Sequence, residues 1–174
     1  MQAQSLYTKI NAMIIRISKS QYLTGLQCPK ALWYYRHRPD LMPDIPATKQ
    51  HMFDTGHEVG ILAQGYFNNG IEITDKYNQI DQAIDSTEKA VAAGYSAIFE
   101  ATACSDDGAY SRIDILKKVG SSGQWDLIEV KMSTSVKDYH YDDMTLQRYT
   151  FEQAGYDVRK AGILQIIQIA VGCP

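Results

Sequence analysis

YSRIDILKKVGSSGQWDLIEVKMS, residues 110–133, is the stretch on which the reading of this chain turns. In its second half Trp125, Leu127, Glu129 and Lys131 alternate with Asp126, Ile128 and Val130. Successive side chains on a strand point to opposite faces, so Glu129 and Lys131 share one face while Ile128 and Val130 turn into a core. In the first half the same period puts Arg112, Asp114 and Leu116 on one face and Ile113 and Ile115 on the other. The break KKVGSSGQ is rich in Gly and Ser and predicts a hairpin. The two strands are then antiparallel neighbours, with Asp114 and Glu129 converging near one end.

Two carboxylates on adjacent strands suit a hard cation such as Mg2+, which prefers oxygen ligands and keeps several waters. Such a cation polarises a phosphate and acidifies a bound water. Lys131, one pleat beyond Glu129, places an ammonium beside the attacking water or the developing negative charge. The Val130 carbonyl offers a neutral ligand, and Gln147, on the helix after the strands, is placed to orient the water or hold Lys131. The same spacing also fits the wet face of an ordinary half-exposed antiparallel sheet. Spacing alone leaves both readings open.

The order Asp114, Glu129-Val130-Lys131, Gln147-Arg148-Tyr149 resembles the PD-(D/E)XK nuclease superfamily, in its RecB-like branch, and within that branch the CRISPR-associated exonucleases. It is also similar to a family of bacterial proteins of unassigned function that carry the same nuclease-like front half. Three stretches extend the resemblance upstream. ISKSQYLTGLQCPKALWYYRHRP (17–39) looks like that group's N-terminal helical segment, FDTGHEVGILAQGYF (53–67) like its histidine-bearing helix, and FEATA (99–103) like the strand before the aspartate strand.

The resemblance implies an α/β fold: a restriction-endonuclease-like core, with a central mixed sheet of about four or five strands flanked by helices and an N-terminal helical segment. It implies metal ligation by His57, Asp114 and Glu129, a catalytic lysine at Lys131, and a supporting helix pair at Gln147 and Tyr149. Arg148 and Tyr141 become candidate substrate contacts, since aromatic side chains stack on unpaired bases. The implied cofactor is Mg2+ or Mn2+, with the imidazole of His57 leaning toward Mn2+. The implied partner is DNA, single-stranded or with a free end, and the implied activity is a metal-dependent deoxyribonuclease of exonuclease type. Without the resemblance, His57 reads as a hydrogen-bonded core or surface residue. The alternative from another class is a catalytically silent nucleic-acid-binding or structural domain with the same fold.

Many relatives hold an iron–sulfur cluster on four cysteines, and Cys28 stands where the first would be. The other two cysteines, Cys104 and Cys173, do not complete a four-thiolate cage. The end, ILQIIQIAVGCP, stops where such relatives continue, so a truncated copy is expected.

Composition sets wider bounds. A length of 174 residues suits one domain with a substantial core. No apolar run reaches the roughly 20 residues that cross a bilayer, so a membrane partner is not expected. Three unevenly spaced cysteines argue against a disulfide framework and for a reducing cytoplasm, with Cys104 a small buried apolar residue. A net charge of −3 is not the basic footprint of a typical nucleic-acid binder, although acidic metal ligands contribute to it. Basic residues gather locally, at Lys30, Arg36, His37 and Arg38, and at Arg112, Lys117 and Lys118.

Along the chain, residues 1–16 read as an N-terminal extension, with Met13 a possible true start. Residues 17–47 read as a helical segment and a Pro-rich loop, 48–170 as the nuclease-like core and 171–174 as a tail. Helices are expected from a Ser18 or Ser20 cap to Leu26, over KALWYYRHR after Pro29, over 48–68, over 78–93 with Gly94 as the stop, and over 139–154 before Gly155. Gly56 and Gly60 on the histidine helix suggest close packing. Glu100 is a further candidate beside the metal, or an exposed strand carboxylate.

Overall fold

The hairpin forms where the Gly-Ser break places it. The computed structural model describes residues 15–43, 47–133 and 135–165, with backbone alone for 47–54. Residues 1–14 of the expected N-terminal extension, the tail and Cys173 therefore lie outside the described residues. In chain order the elements are β1 (Ile17–Ser18), α1 (Lys19–Gln27), α2 (Pro29–His37), α3 (Ala47–Gln64), β2 (Gly70–Glu72), α4 (Ile80–Ala92), β3 (Ala97–Cys104), β4 (Ala109–Lys118), β5 (Trp125–Lys131), α5 (Asp138–Gln153) and β6 (Val158–Gln165). A single turn of 3-10 helix at Pro39–Leu41 follows α2.

Five strands lie side by side in the order β2-β3-β4-β5-β6, and the two-residue β1 joins beside β4. β3, β4 and β5 are antiparallel, whereas β2 runs parallel to β3 and β6 parallel to β5. This is an α/β fold with a mixed central sheet flanked by helices. On one face α4 and α5 contribute Ala83, Ala90, Met144 and Phe151 to a core with Ile98, Ile113, Leu116 and Leu127. On the other, Ala63 and Phe67, at and just beyond the end of α3, cover Ala97, Phe99, Ile115, Ile128 and Val130. A glycine is needed at Gly70, because a Cβ there would sit 2.5 Å from the Phe99 ring.

The period-two reading holds for β5 and breaks in β4. Leu116 shares its core with Ile113, three residues away, while Ile115 joins the opposite core. The cause lies across the ladder. Glu100 of β3 has a left-handed backbone, φ 57°, and the β3–β4 pairing skips Glu100 and Asp114. One left-handed residue swaps the facing of everything beyond it, so Ala97 and Phe99 lie in one core and Ala101 and Ala103 in the other. The expected common face of Arg112, Asp114 and Leu116 is corrected accordingly.

The same place opens the sheet. β4 pairs with β5 only from Ile115 to Lys118, and with β1 only at Ala109 and Tyr110. Between those two partners the edge of β4 is left to side chains. Ser18 ends β1 and caps α1: its hydroxyl accepts from the Gln21 N–H, and the Gln21 side chain accepts from the Ser18 N–H. That cap delivers Lys19, the first residue of α1, to the opening.

Candidate functional site

Asp114 comes from the unpaired stretch of β4 and Glu129 from the end of β5. The Val130 N–H donates to Asp114 Oδ2 at 2.6 Å, so the carboxylate substitutes for a ladder partner where the strands part. Glu129 is 2% exposed. Lys131 donates to its Oε1 at 2.5 Å and Lys19 to the same oxygen at 3.0 Å, while Gln147 Nε2 donates to Oε2 at 2.7 Å. Gln147 Nε2 also reaches Asp143 Oδ1 at 2.9 Å, one helical turn earlier on α5. Asp143 in turn lies 3.1 Å from Lys19 and 3.6 Å from Lys131. The arrangement is therefore two ammonium groups among three carboxylates, with Gln147 gripping two of the acids. Its amide oxygen is buried and has no hydrogen-bond partner.

These charges set the protonation. Burial, reinforced by the charge of Glu129, pushes the Asp114 carboxyl up to about 7. Burial works the same way on Glu129, but Lys19 and Lys131 outweigh it and hold its carboxyl below the usual range. Burial would lower Lys131; its contact with Glu129 wins and raises it. Glu100, mostly buried, is raised by desolvation against the opposing pull of Arg112. A buried and a half-buried acid at unequal protonation mark a place where added positive charge is favoured.

A cavity of about 640 Å³ opens over this cluster, lined by Lys19, His57, Asp114, Glu129, Val130 and Lys131 among others. A neighbouring cavity of about 530 Å³ shares Lys19, Tyr77, Glu100 and Asp114 with it, which makes one continuous cleft. His57 is exposed on α3 and faces the cleft across from the acids, alongside Gly56 and Gly60. A Cβ on either glycine would meet nothing within 4 Å, so they keep the cleft open rather than serving close packing.

His57, Asp114, Glu129, Val130 and Lys131 thus line one cleft with Gln147 beneath the acids, but His57, Asp114 and Glu129 are not gathered closely enough to share one ion. Several expected roles change. Gln147 holds Glu129 and Asp143 instead of Lys131, and the Val130 N–H adds a contact the sequence did not suggest, to Asp114. Tyr149 leaves the site: its hydroxyl donates to Asp107 at 2.7 Å in the β3–β4 turn, because residue 149 falls two positions past Gln147 and so on another side of α5. Arg148 pairs with Glu152 at 2.7 Å and also reaches the Val158 carbonyl. Tyr141 is exposed on the first turns of α5 and lines neither cavity. His140, at the same helix start, is buried and accepts from the Lys137 N–H. Cys28 is an exposed residue between α1 and α2, and Cys104 is only half-buried.

Lys19 and Asp143 were missed by sequence reasoning. Asp143 carries a usable signal, lying four residues before Gln147 on the same helix face. Nothing in ISKSQY distinguishes Lys19 from a solvated lysine.

Among the described residues no three His, Cys, Asp or Glu side chains are gathered closely enough to hold a metal ion. No helix among them is long and apolar enough to cross a membrane. Comparisons with protein-family models, with curated proteins and with solved structures find no match to this chain.

Proposed function

We propose that this chain is a metal-dependent deoxyribonuclease with a restriction-endonuclease-like core, acting on single-stranded or free-ended DNA. One observation carries the reading: Asp114, half-buried, and Glu129, buried, stand on neighbouring strands under an open cleft with Lys131 beside them. A sheet face that was merely solvated would leave these acids exposed and separately paired.

The donor types around the cleft suit a hard cation, although no three of the described ligand side chains are gathered at one point. They are carboxylate oxygens from Asp114 and Glu129, the Val130 carbonyl, and the imidazole of His57 on the far wall, the mixture that suits Mg2+ or Mn2+. Such an ion supplies Lewis-acid polarisation of a phosphate and a more acidic water. The chain's own residues do the rest. Gln147 fixes the Glu129 carboxylate, leaving it one rotamer. Lys131 holds an ammonium at the mouth of the acid pair, where charge develops on a phosphate oxygen. The elevated Asp114 carboxyl gives up its proton once positive charge is near. Tyr77, whose ring the Arg112 guanidinium covers at 4.7 Å, lines the cleft and would offer an approaching strand an aromatic and a cationic contact.

The second reading is a silent nucleic-acid-binding or structural domain, and one observation favours it: Lys19 and Lys131 already neutralise the Glu129 oxygen on which a metal would rest. Cleavage of a 5′- or 3′-labelled oligonucleotide in Mn2+ separates the two. Lys131→Ala is expected to lower the rate by on the order of 10²–10³-fold while leaving strand binding in place. Wild-type protein that binds the oligonucleotide but never cuts it in either metal makes the silent reading correct.

A further inference from the structure

We propose that the Lys19 ammonium is a resident cation of the acid cluster that competes with a divalent ion, so that metal loading and the docking of α1 over the site oppose each other. This rests on the reading of the cluster as a metal site, and concerns how that site is regulated.

The geometry is that of an occupied cation seat. Lys19 Nζ lies 3.0 Å from Glu129 Oε1 and 3.1 Å from Asp143 Oδ1. Both acids are almost wholly buried, and Lys19 itself is largely covered. The Gln147 amide places its nitrogen on the same two carboxylates, while its oxygen, fully buried, has no donor. Two carboxylate oxygens, one from Glu129 and one from Asp143, make a hard, anionic surrounding for a cation. Burial by itself would strip the proton from Lys19, but Glu129, Asp143 and Asp114 together raise its affinity for the proton.

The position of Lys19 in the chain turns this contact into a coupling. Lys19 follows β1 directly, and β1 is a two-residue strand held on β4 at Ala109 and Tyr110. The capping box on Ser18 and Gln21 fixes the first turn of α1 in register with that strand. The ammonium that holds the acids is thus carried by the first turn of α1, so losing its contact removes one tie between α1 and the site. Like charges about 4–5 Å apart in a partly buried site repel, so a divalent ion on Glu129 would weaken the hold of the Lys19 ammonium on the same oxygen, and the ammonium would weaken the ion's.

The test uses the full chain and Mn2+ alone. Lys19→Met keeps an unbranched side chain, one atom shorter, and removes its charge; Lys19→Arg keeps the charge. Mn2+ binding is read by electron paramagnetic resonance and by calorimetry, with no DNA present. Lys19→Met is expected to bind Mn2+ at least tenfold more tightly than wild type, Lys19→Arg no more tightly than wild type, and Lys19→Met in EDTA to melt at a lower temperature than wild type. An independent readout needs no variant. In wild-type protein the side-chain 15N signal of Lys19 is expected to shift or broaden on titration with Mg2+, so the proposal stays testable if Lys19→Met does not fold. Wild type that binds the metal, with Lys19→Met equal or weaker or with the Lys19 signal unmoved, overturns the competition and leaves the nuclease reading standing. No Mn2+ binding by wild type or by Lys19→Met overturns both.

Discussion

At the closed end of the β4–β5 hairpin, Leu116 lies opposite Leu127 and Ile115 opposite Ile128, and a helix covers each face. One residue beyond the Ile115–Ile128 pair, half-buried Asp114 and buried Glu129 have no ladder between them and are tied instead to a backbone N–H and two lysines. The closed end is stabilised by removing apolar surface from water, with its polar groups paired in the sheet. The open end concentrates like charge where water is scarce, an arrangement that costs stability and is kept together by residues from α1 and α5. Stability and chemistry thus divide along one hairpin, and substitutions at the two ends should have opposite signs.

The largest effect is expected at the closed end. Leu127 is fully buried in the core beneath α5. Leu127→Ala should cost about 2–5 kcal/mol, the range for deleting such a side chain where the surroundings cannot collapse. Urea unfolding should give the same loss in EDTA and in Mn2+. A loss that appears only with metal would mean that the two ends are not separable.

At the open end the sign reverses. A carboxyl whose pKa rises from 3.8 to about 7 on folding is protonated in the folded chain over a window where the unfolded chain is ionised. Stability is therefore lost as pH rises through that window, and the full cost, on the order of 4 kcal/mol, is present above it. Asp114→Asn keeps an acceptor for the Val130 N–H and abolishes the titration. In EDTA at pH 8 the variant should melt above wild type, and at pH 5 the gap should shrink by more than half. A variant less stable than wild type at pH 8 would show that the acid pair is not a liability in the metal-free protein.

The same division explains what was legible in the sequence. Trp125, Leu127, Ile128 and Val130 obey a local rule, side chains alternating on a pleat, and the sequence reading placed all four on the correct faces. The helix boundaries near Ser18, Gly94 and Gly155 follow from local caps and stops, and the structure has them within a residue or two. The meeting of Asp114, Glu129 and Lys131 was readable because one hairpin carries all three. Lys19 was not, because it reaches Glu129 across 110 residues of chain, and no local pattern encodes that distance. Tyr149 was misplaced for the reverse reason: it sits near Gln147 in sequence, yet two residues on a helix turn a side chain away. The facing of Leu116 failed on a single backbone dihedral in a different strand.

That dihedral is open to test. Outside glycine, a left-handed backbone costs about 1 kcal/mol or somewhat more, and Glu100 adopts it in the middle of β3, beside the acids. Its side chain adds a second, separate burden, a buried carboxyl with a raised pKa. Glu100→Ala removes the carboxyl and keeps the Cβ; Glu100→Gly removes both. If the backbone kink is what swaps the faces of β3 and opens the sheet, Glu100→Gly should be about 1 kcal/mol more stable than Glu100→Ala, by urea unfolding at one pH, with the sheet unchanged. If alanine is the more stable, the chain relaxes to a regular strand once the carboxyl is gone. The kink would then be produced by the charge at residue 100, the acids would hold the sheet open themselves, and the opening would belong to the site rather than to the fold.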